Sequence, residues 1–291
     1  MHKSDSMRYG IASFFPQPNG DTMYIGYGSS NLGLGWDLSQ IAFELRDSMG
    51  AVKHFKKIGG FHVESPFRIF KAPQTGYIGI AEYTGFGDGE IGMGDSIKCG
   101  DYYAKDVWLF TTDSLGNVTK SRTFGGKYDD RYGDIHIDSA GNITLMLVVI
   151  AGGIDCELDG CTPANTGWSD RYSDILLVKL DKDLNILWSK CYGGNGVEGW
   201  SNQVRMVPDG NKGFYIATRT SSADGHLSQH PWEPIPGRTL LDTAVASDLW
   251  VFQIDSTGHI QQSKTFPFNR ADIGGLARTA DGHIWVGVNI I

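Results

Sequence analysis

What this 291-residue chain lacks narrows its class before any motif is read. Its longest apolar run, Leu145 to Ile154, covers about ten residues and contains two glycines, whereas a membrane-spanning helix needs ~20. No membrane insertion is expected. Basic runs are absent, and 25 Lys+Arg against 33 Asp+Glu leave a formal charge of −8. That balance excludes a groove tracking phosphates, so no nucleic-acid partner is expected. Helical periodicity is nowhere sustained over about ten residues. The signatures Gly-x-Ser-x-Gly, His-Glu-x-x-His and a Walker-type glycine loop do not occur, which removes the most legible hydrolase and nucleotide chemistries. Cysteine is scarce, with only Cys99, Cys156, Cys161 and Cys191. They form neither a vicinal pair nor the two close pairs that zinc would want. Cys156 and Cys161 sit in the polar stretch Cys-Glu-Leu-Asp-Gly-Cys, spaced for a local disulfide or for two free thiols. The oxidised alternative points to an extracellular or periplasmic compartment. Residues 1–8 read as a polar tail without the apolar centre of a signal peptide.

What is abundant is glycine, 39 residues, together with 12% aromatics, a composition that suits short strands and tight turns. An internal repeat gives those strands an order. Ile41-Ala-Phe-Glu-Leu-Arg-Asp47-Ser-Met-Gly50 recurs as Val107-Trp-Leu-Phe-Thr-Thr-Asp113-Ser-Leu-Gly116, as Ile175-Leu-Leu-Val-Lys-Leu-Asp181 and as Leu249-Trp-Val-Phe-Gln-Ile-Asp255-Ser-Thr-Gly258. The turn aspartates lie 66, 68 and 74 residues apart. A second strand follows each and ends on Ile58-Gly59-Gly60, Phe124-Gly125-Gly126 and Tyr192-Gly193-Gly194, with Phe266-Pro267-Phe268 in the fourth copy. Between these hairpins lies another, turning at Asn19-Gly20, Thr75-Gly76, Ala140-Gly141, Asp209-Gly210 and Asp281-Gly282. After each turn comes an apolar strand: Met23–Tyr27, Tyr77–Ile80, Ile143–Leu147, Phe214–Ala217 and Ile284–Gly287.

Each repeat is thus four antiparallel strands, a–b–c–d, and radial repetition of such sheets is a β-propeller. The expected fold class is all-β: a propeller of about five blades with one blade incomplete. The repeats run approximately 9–60, 61–126, 127–194 and 195–268, with a partial repeat over 269–291, in one domain spanning 9–291. Four full repeats and a final a–b hairpin make 18 strands. A ring must cover its exposed edges. A two-stranded fifth blade, membership of a larger ring, or a neighbouring chain or domain completing the last blade would each do so.

At its Asp-x-x-Gly turns and Gly-Gly ends the repeat resembles a family of bacterial propeller repeats, found chiefly in secreted and cell-surface proteins of Bacteroidetes and related in pattern to quinoprotein-like propellers. The resemblance covers the chain from about Tyr9 to Ile291. It implies fold and export, and hardly any activity, because the family carries many unrelated roles. Its quinoprotein branch implies a cofactor only in enzymes, and no feature here carries that cofactor over, so none is expected.

Strand parity puts the a–b and c–d turns at one end of the sheets and the b–c and d–a connections at the other. The b–c connections are long in three repeats, about Thr84 to Lys105, Ala151 to Ser173 and Ser221 to Ser247. Long loops on a rigid scaffold are where binding residues collect. Candidate ligand contacts there are Tyr102, Tyr103, Trp168, His226, His230 and Trp232, since an aromatic face stacks on a sugar ring while nearby polar groups fix its hydroxyls; the alternative is that they pack the loops down. Spaced carboxylates in Asp88, Glu90, Asp155, Glu157 and Asp159 are calcium candidates, although neither segment is a full Asp-x-Asp-x-Asp-Gly loop. His226 and His230 are four apart, but in a Pro- and Gly-rich segment where that spacing has no helical meaning.

One acid recurs in the d–a connection, four residues past the second position of each Gly-Gly site: Glu64, Asp130, Glu198 and Asp272. Carboxylates ringing a channel mouth would be the catalytic candidates of a glycoside hydrolase or lyase. Repetition favours a shared structural hydrogen bond instead, because a catalytic pair needs asymmetry. Asp106, Asp174 and Asp248, each seven before a turn aspartate, read as strand-entry carboxylates of the scaffold, with Gln40 in the first repeat. The leading expectation is a non-catalytic propeller of the cell surface or exterior that binds a glycan or a protein through the long loops. The alternatives are a carbohydrate-active enzyme and a structural module of a larger surface protein.

Overall fold

The computed structural model describes residues 10–30, 38–59, 65–74, 76–84, 91, 104–125, 128–150, 173–199, 203–222, 224–228, 248–268 and 271–290. These form two compact units, Met1–Gly125 and Gly126–Ile291. In the first unit, β1 (Gly10–Pro16), β2 (Thr22–Ser30), β3 (Leu38–Arg46) and β4 (Val52–Ile58) make one antiparallel sheet; β5 (Ser65–Lys71), β6 (Tyr77–Thr84), β7 (Lys105–Thr112) and β8 (Val118–Phe124) make a second. The other unit holds a third sheet, β9 (Arg131–Ile137), β10 (Ile143–Ile150), β11 (Ser173–Leu180) and β12 (Ile186–Tyr192), and a fourth, β13 (Arg205–Pro208), β14 (Phe214–Thr220), β15 (Asp248–Ile254) and β16 (Ile260–Phe266). A two-stranded sheet, β17 (Ala271–Arg278) and β18 (Ile284–Ile290), follows them. The class is all-β, with helix among the described residues limited to short 3₁₀ turns such as Gly225–Leu227, and the sheets are consistent with propeller-like blades. Among the described residues no helix is long and apolar enough to cross a membrane.

All nine hairpins close in the same way. The N–H of the first turn residue donates to the carbonyl four residues on, as at Gln17–Asp21, Asp47–Ala51, Ala72–Gly76, Asp113–Asn117, Asp138–Asn142, Asp181–Asn185, Asp209–Gly213, Asp255–His259 and Thr279–His283. Six of these turns begin with Asp. In each, Oδ1 accepts the amides two and four residues on, for example Leu115 at 2.8 Å and Asn117 at 2.9 Å on Asp113. Asn117, Asn142 and Asn185 add a side-chain bond to the second oxygen. The fourth position needs a positive φ, which glycine supplies at least cost. Gly50, Gly116, Gly141, Gly258 and Gly282 hold it. Leu184 (φ 64°) and Lys212 (φ 68°) hold it in two turns, so the turn read as Asp209-Gly210 is a five-residue turn strained at Lys212.

Side-chain alternation explains the core. On the c strands, Trp108 stacks on Phe110 (4.2 Å) and Trp250 on Phe252 (4.1 Å). Each indole donates to a serine 13 residues on, Ser121 at 2.7 Å and Ser263 at 2.9 Å, so neither buried ring leaves its N–H unmet. The first unit's core joins its two sheets through Met23, Ile25, Ile41, Phe43, Tyr77 and Trp108. In the other unit, Val148, Ile175 and Tyr192 of the third sheet pack with Ile216, Trp250 and Phe252 of the fourth. A smaller cluster joins Ala217 and Leu249 of the fourth sheet to Ile273, Val286 and Val288 of the β17–β18 hairpin.

Candidate functional site

The b–c strand ends fall within a residue of the sequence reading: β6 ends at Thr84 and β7 begins at Lys105, β10 and β11 bracket 151–172, and β14 and β15 bracket 221–247. In the second unit, the end of the third and fourth sheets that carries these loops is a junction built from Gly193–Gly199. Glu198 N–H donates to Ser173 O at 2.7 Å, and Ser173 Oγ donates to the carbonyls of Glu198 and Gly199. Gly199 N–H reaches Arg219 O, and Ser221 N–H reaches Val197 O, both at 3.0 Å. The connection is therefore stitched to β11 on one side and β14 on the other, which satisfies backbone groups that no sheet ladder serves.

Two carboxyls meet inside this junction. Glu198 has no solvent exposure and Asp174 is 8% exposed. Glu198 Oε1 accepts the Thr220 hydroxyl at 2.6 Å and Oε2 the Gly194 N–H at 3.1 Å. Burial, then the charge of Glu198 and a hydrogen bond with it, push Asp174 up to about 8. Burial likewise raises Glu198, against the hydrogen bonds that Ser222, Thr220, Gly194 and Asp174 make to it. Two acids this close in a dry site hold a proton between them at neutral pH. The pair also explains the Gly-Gly signal: a Cβ on Gly193 would lie 2.0 Å from Asp174 Oδ1 and 2.6 Å from Glu198 Oε2. Gly125 stands in the same relation to Asp106, with 1.8 Å to its Oδ1. In the fourth sheet, where proline takes the glycine's place, Asp248 Oδ1 accepts the Phe268 N–H at 3.2 Å.

Asp130 and Asp272 of the d–a series have comparable partners. Asp130 is buried and accepts the Ile150 N–H at 3.0 Å. Asp272 accepts from Gln203 Nε2 at 2.6 Å, and Gln203 in turn accepts from Arg219 at 3.3 Å. His226 sits on the 3₁₀ turn Gly225–Leu227, where its Nδ1 accepts the Gly193 N–H at 3.2 Å and its own N–H returns to Gly193 O at 3.1 Å. Asp224, beside it, accepts Asn195 N–H at 2.7 Å and the Asn195 side chain. Thr220, Ser222, Asp224 and Asn195 are junction residues that sequence reasoning missed, and no repeated spacing marks them.

Glu64, Tyr102, Tyr103, Trp168, His230 and Trp232 lie outside the described residues, as do the calcium candidates Asp88, Glu90, Asp155, Glu157 and Asp159. Among the described residues no group of three or more His, Cys, Asp or Glu is arranged to hold a metal ion. Cys191 in β12 is disulfide-bonded. Its partner lies outside the described residues, as do Cys156 and Cys161, for which a local disulfide was one reading.

No family model matches the chain, and no curated protein matches it. Among solved structures it is similar to a puromycin hydrolase, at 13% identity and a TM-score of 0.47, over 97% of this chain and 36% of that one. It is also similar to a member of the DUF4221 family from Bacteroides vulgatus, at 11% identity and a TM-score of 0.25, over 97% of this chain and 88% of the other. The chain thus spans little more than a third of the hydrolase. Likenesses this distant assign it no activity.

Proposed function

We propose that the sheets are blades of a β-propeller whose loop-bearing end binds a glycan, without catalysis, outside the cytoplasm. The observation that carries this reading is the contrast between the ends of the sheets. One end closes in nine short turns whose polar groups largely bond each other. The other releases connections of about twenty residues or more that carry Tyr102, Tyr103, Trp168 and Trp232. The buried acids speak against catalysis. Glu198 has no solvent exposure and its oxygens are engaged by Thr220 and Gly194, whereas a glycosidase needs two carboxyls flanking a bond it can reach. The disulfide at Cys191 supports an oxidising compartment.

The test is a glycan-array screen of the intact chain with and without calcium, followed by turnover assays on each hit. Saturable binding without product is expected, weakened about tenfold or more by Trp168→Ala or Trp232→Ala, a loss usual for a stacked aromatic. Cleavage of a bound glycan would overturn the non-catalytic reading. A blank array would overturn the glycan and leave a protein ligand or a structural role.

A further inference from the structure

We infer that β18 is a pairing edge for a second copy of this chain, joining two β17–β18 hairpins into one four-stranded sheet across a two-fold axis. Every other sheet has four strands, and its outermost strand carries basic side chains. These are Lys53, Lys56 and Lys57 on β4, Lys120 and Arg122 on β8, Lys190 on β12, and Lys264 on β16. Charge on an edge strand, lysine above all, keeps other strands from adding to it. β17 lies against β13 and β14, so β18 is the outer strand of the hairpin, and among the described residues only β17 pairs with it. Yet β18 reads Ile-Trp-Val-Gly-Val-Asn-Ile, with no charge at all. Its composition is that of the central b strands β6 and β10, not of an edge.

The order of those residues argues for self-pairing over capture of a foreign strand. About Gly287 the strand is nearly palindromic. In an antiparallel pair centred there, Ile284 stands opposite Ile290 of the second copy, Val286 opposite Val288, Gly287 opposite itself and Trp285 opposite Asn289. Like thus meets like along an isologous edge. Ile284, Val286 and Val288 are half-buried, and Val286 and Val288 pack on the cluster around Ile273 and Leu249. Pairing would extend that apolar layer into the second copy. On the opposite face Trp285 is 68% exposed. Gly287 pairs with Gly275, whose Cβ position has nothing within 4 Å. Across the two-fold axis, Trp285 is the diagonal neighbour of Gly287, and its ring covers this open glycine floor.

Sedimentation velocity on the full chain from about 1 to 100 µM tests the inference, that range covering the affinities expected of a modest interface. The expected species is a dimer of twice the 31.9 kDa chain mass. The double variant W285K/N289K alters two exposed positions and sets lysine opposite lysine at both ends of the pairing. It should weaken the dimer about tenfold or more while leaving the circular dichroism spectrum unchanged. W285K/N289E sets lysine opposite glutamate in the same register and should dimerise more tightly than W285K/N289K. A wild-type chain that stays monomeric throughout overturns the inference. So does W285K/N289K dimerising like wild type, or W285K/N289E no tighter than W285K/N289K.

Discussion

The turn end and the loop end of the second unit's sheets use aspartate in opposite ways. At Asp138, Asp181 and Asp255 of the turns the carboxylate is held ionised and works as a clamp. The Thr257 hydroxyl and the His259 amide hold Asp255 down to about 2, and the Asn185 side chain lowers Asp181. At Asp138 partial burial opposes ionisation, and the bonds from Asn142 outweigh it. At the junction burial instead pushes both carboxyls up, and the charge of Glu198 adds to the rise at Asp174, so that the pair retains a proton at neutral pH. The same residue type is cheap where water can reach it and forces proton uptake where water cannot. Among the described residues, the recurring acids at both ends are bonded to the protein's own backbone and side chains.

The contrast is sharpest in the glycines, which serve a backbone need at one end and a space need at the other. Gly193→Ala would thrust a Cβ to within 2.0 Å of Asp174 Oδ1, and should destabilise by about 2–3 kcal/mol, as overpacking does. Gly50→Ala meets nothing within 4 Å but sits at φ +86°, so its cost is about 1 kcal/mol of left-handed strain. Denaturant unfolding of both variants measures the difference; equal losses would erase the distinction. A smaller effect of opposite sign is expected at Lys212, exposed at φ 68°. Lys212→Gly should gain roughly 0.5 kcal/mol, relief of strain outweighing the added chain entropy. Leu184→Gly should show no such gain, because Leu184 is 4% exposed and its burial is lost.

Much of the scaffold was legible in the amino-acid order. Turn aspartates, glycines and alternating apolar strands are local signals, and they place the 18 strands of the described residues in sequence. Three b strands were read short because β2, β6 and β14 run on through small or polar residues such as Gly28, Glu82 and Thr218, which pair with the start of the c strand. Lys212 was hidden because Gly210, two residues earlier, looks like the turn glycine. The acid series was visible as a spacing, but the meeting of Asp174 with Glu198 was not. They lie 24 residues apart and are joined only when the Gly193–Gly199 connection folds back between two sheets.

Unfolding free energy against pH for wild type and Asp174→Asn tests whether the buried acids are a proton-holding part of the scaffold. Both junction carboxyls are raised on folding. Between about pH 4, where they titrate in the unfolded chain, and about pH 8, the folded state binds more protons than the unfolded one, and stability drains away as pH rises. Asp113, Asp138, Asp181 and Asp255 of the turns are lowered on folding, so their contribution is lost in the other direction, as pH falls below about 4. Asp174→Asn should gain on wild type steadily from about pH 4 to about pH 8, while the acid limb of the two profiles coincides. A constant offset between the two profiles across that range would contradict it.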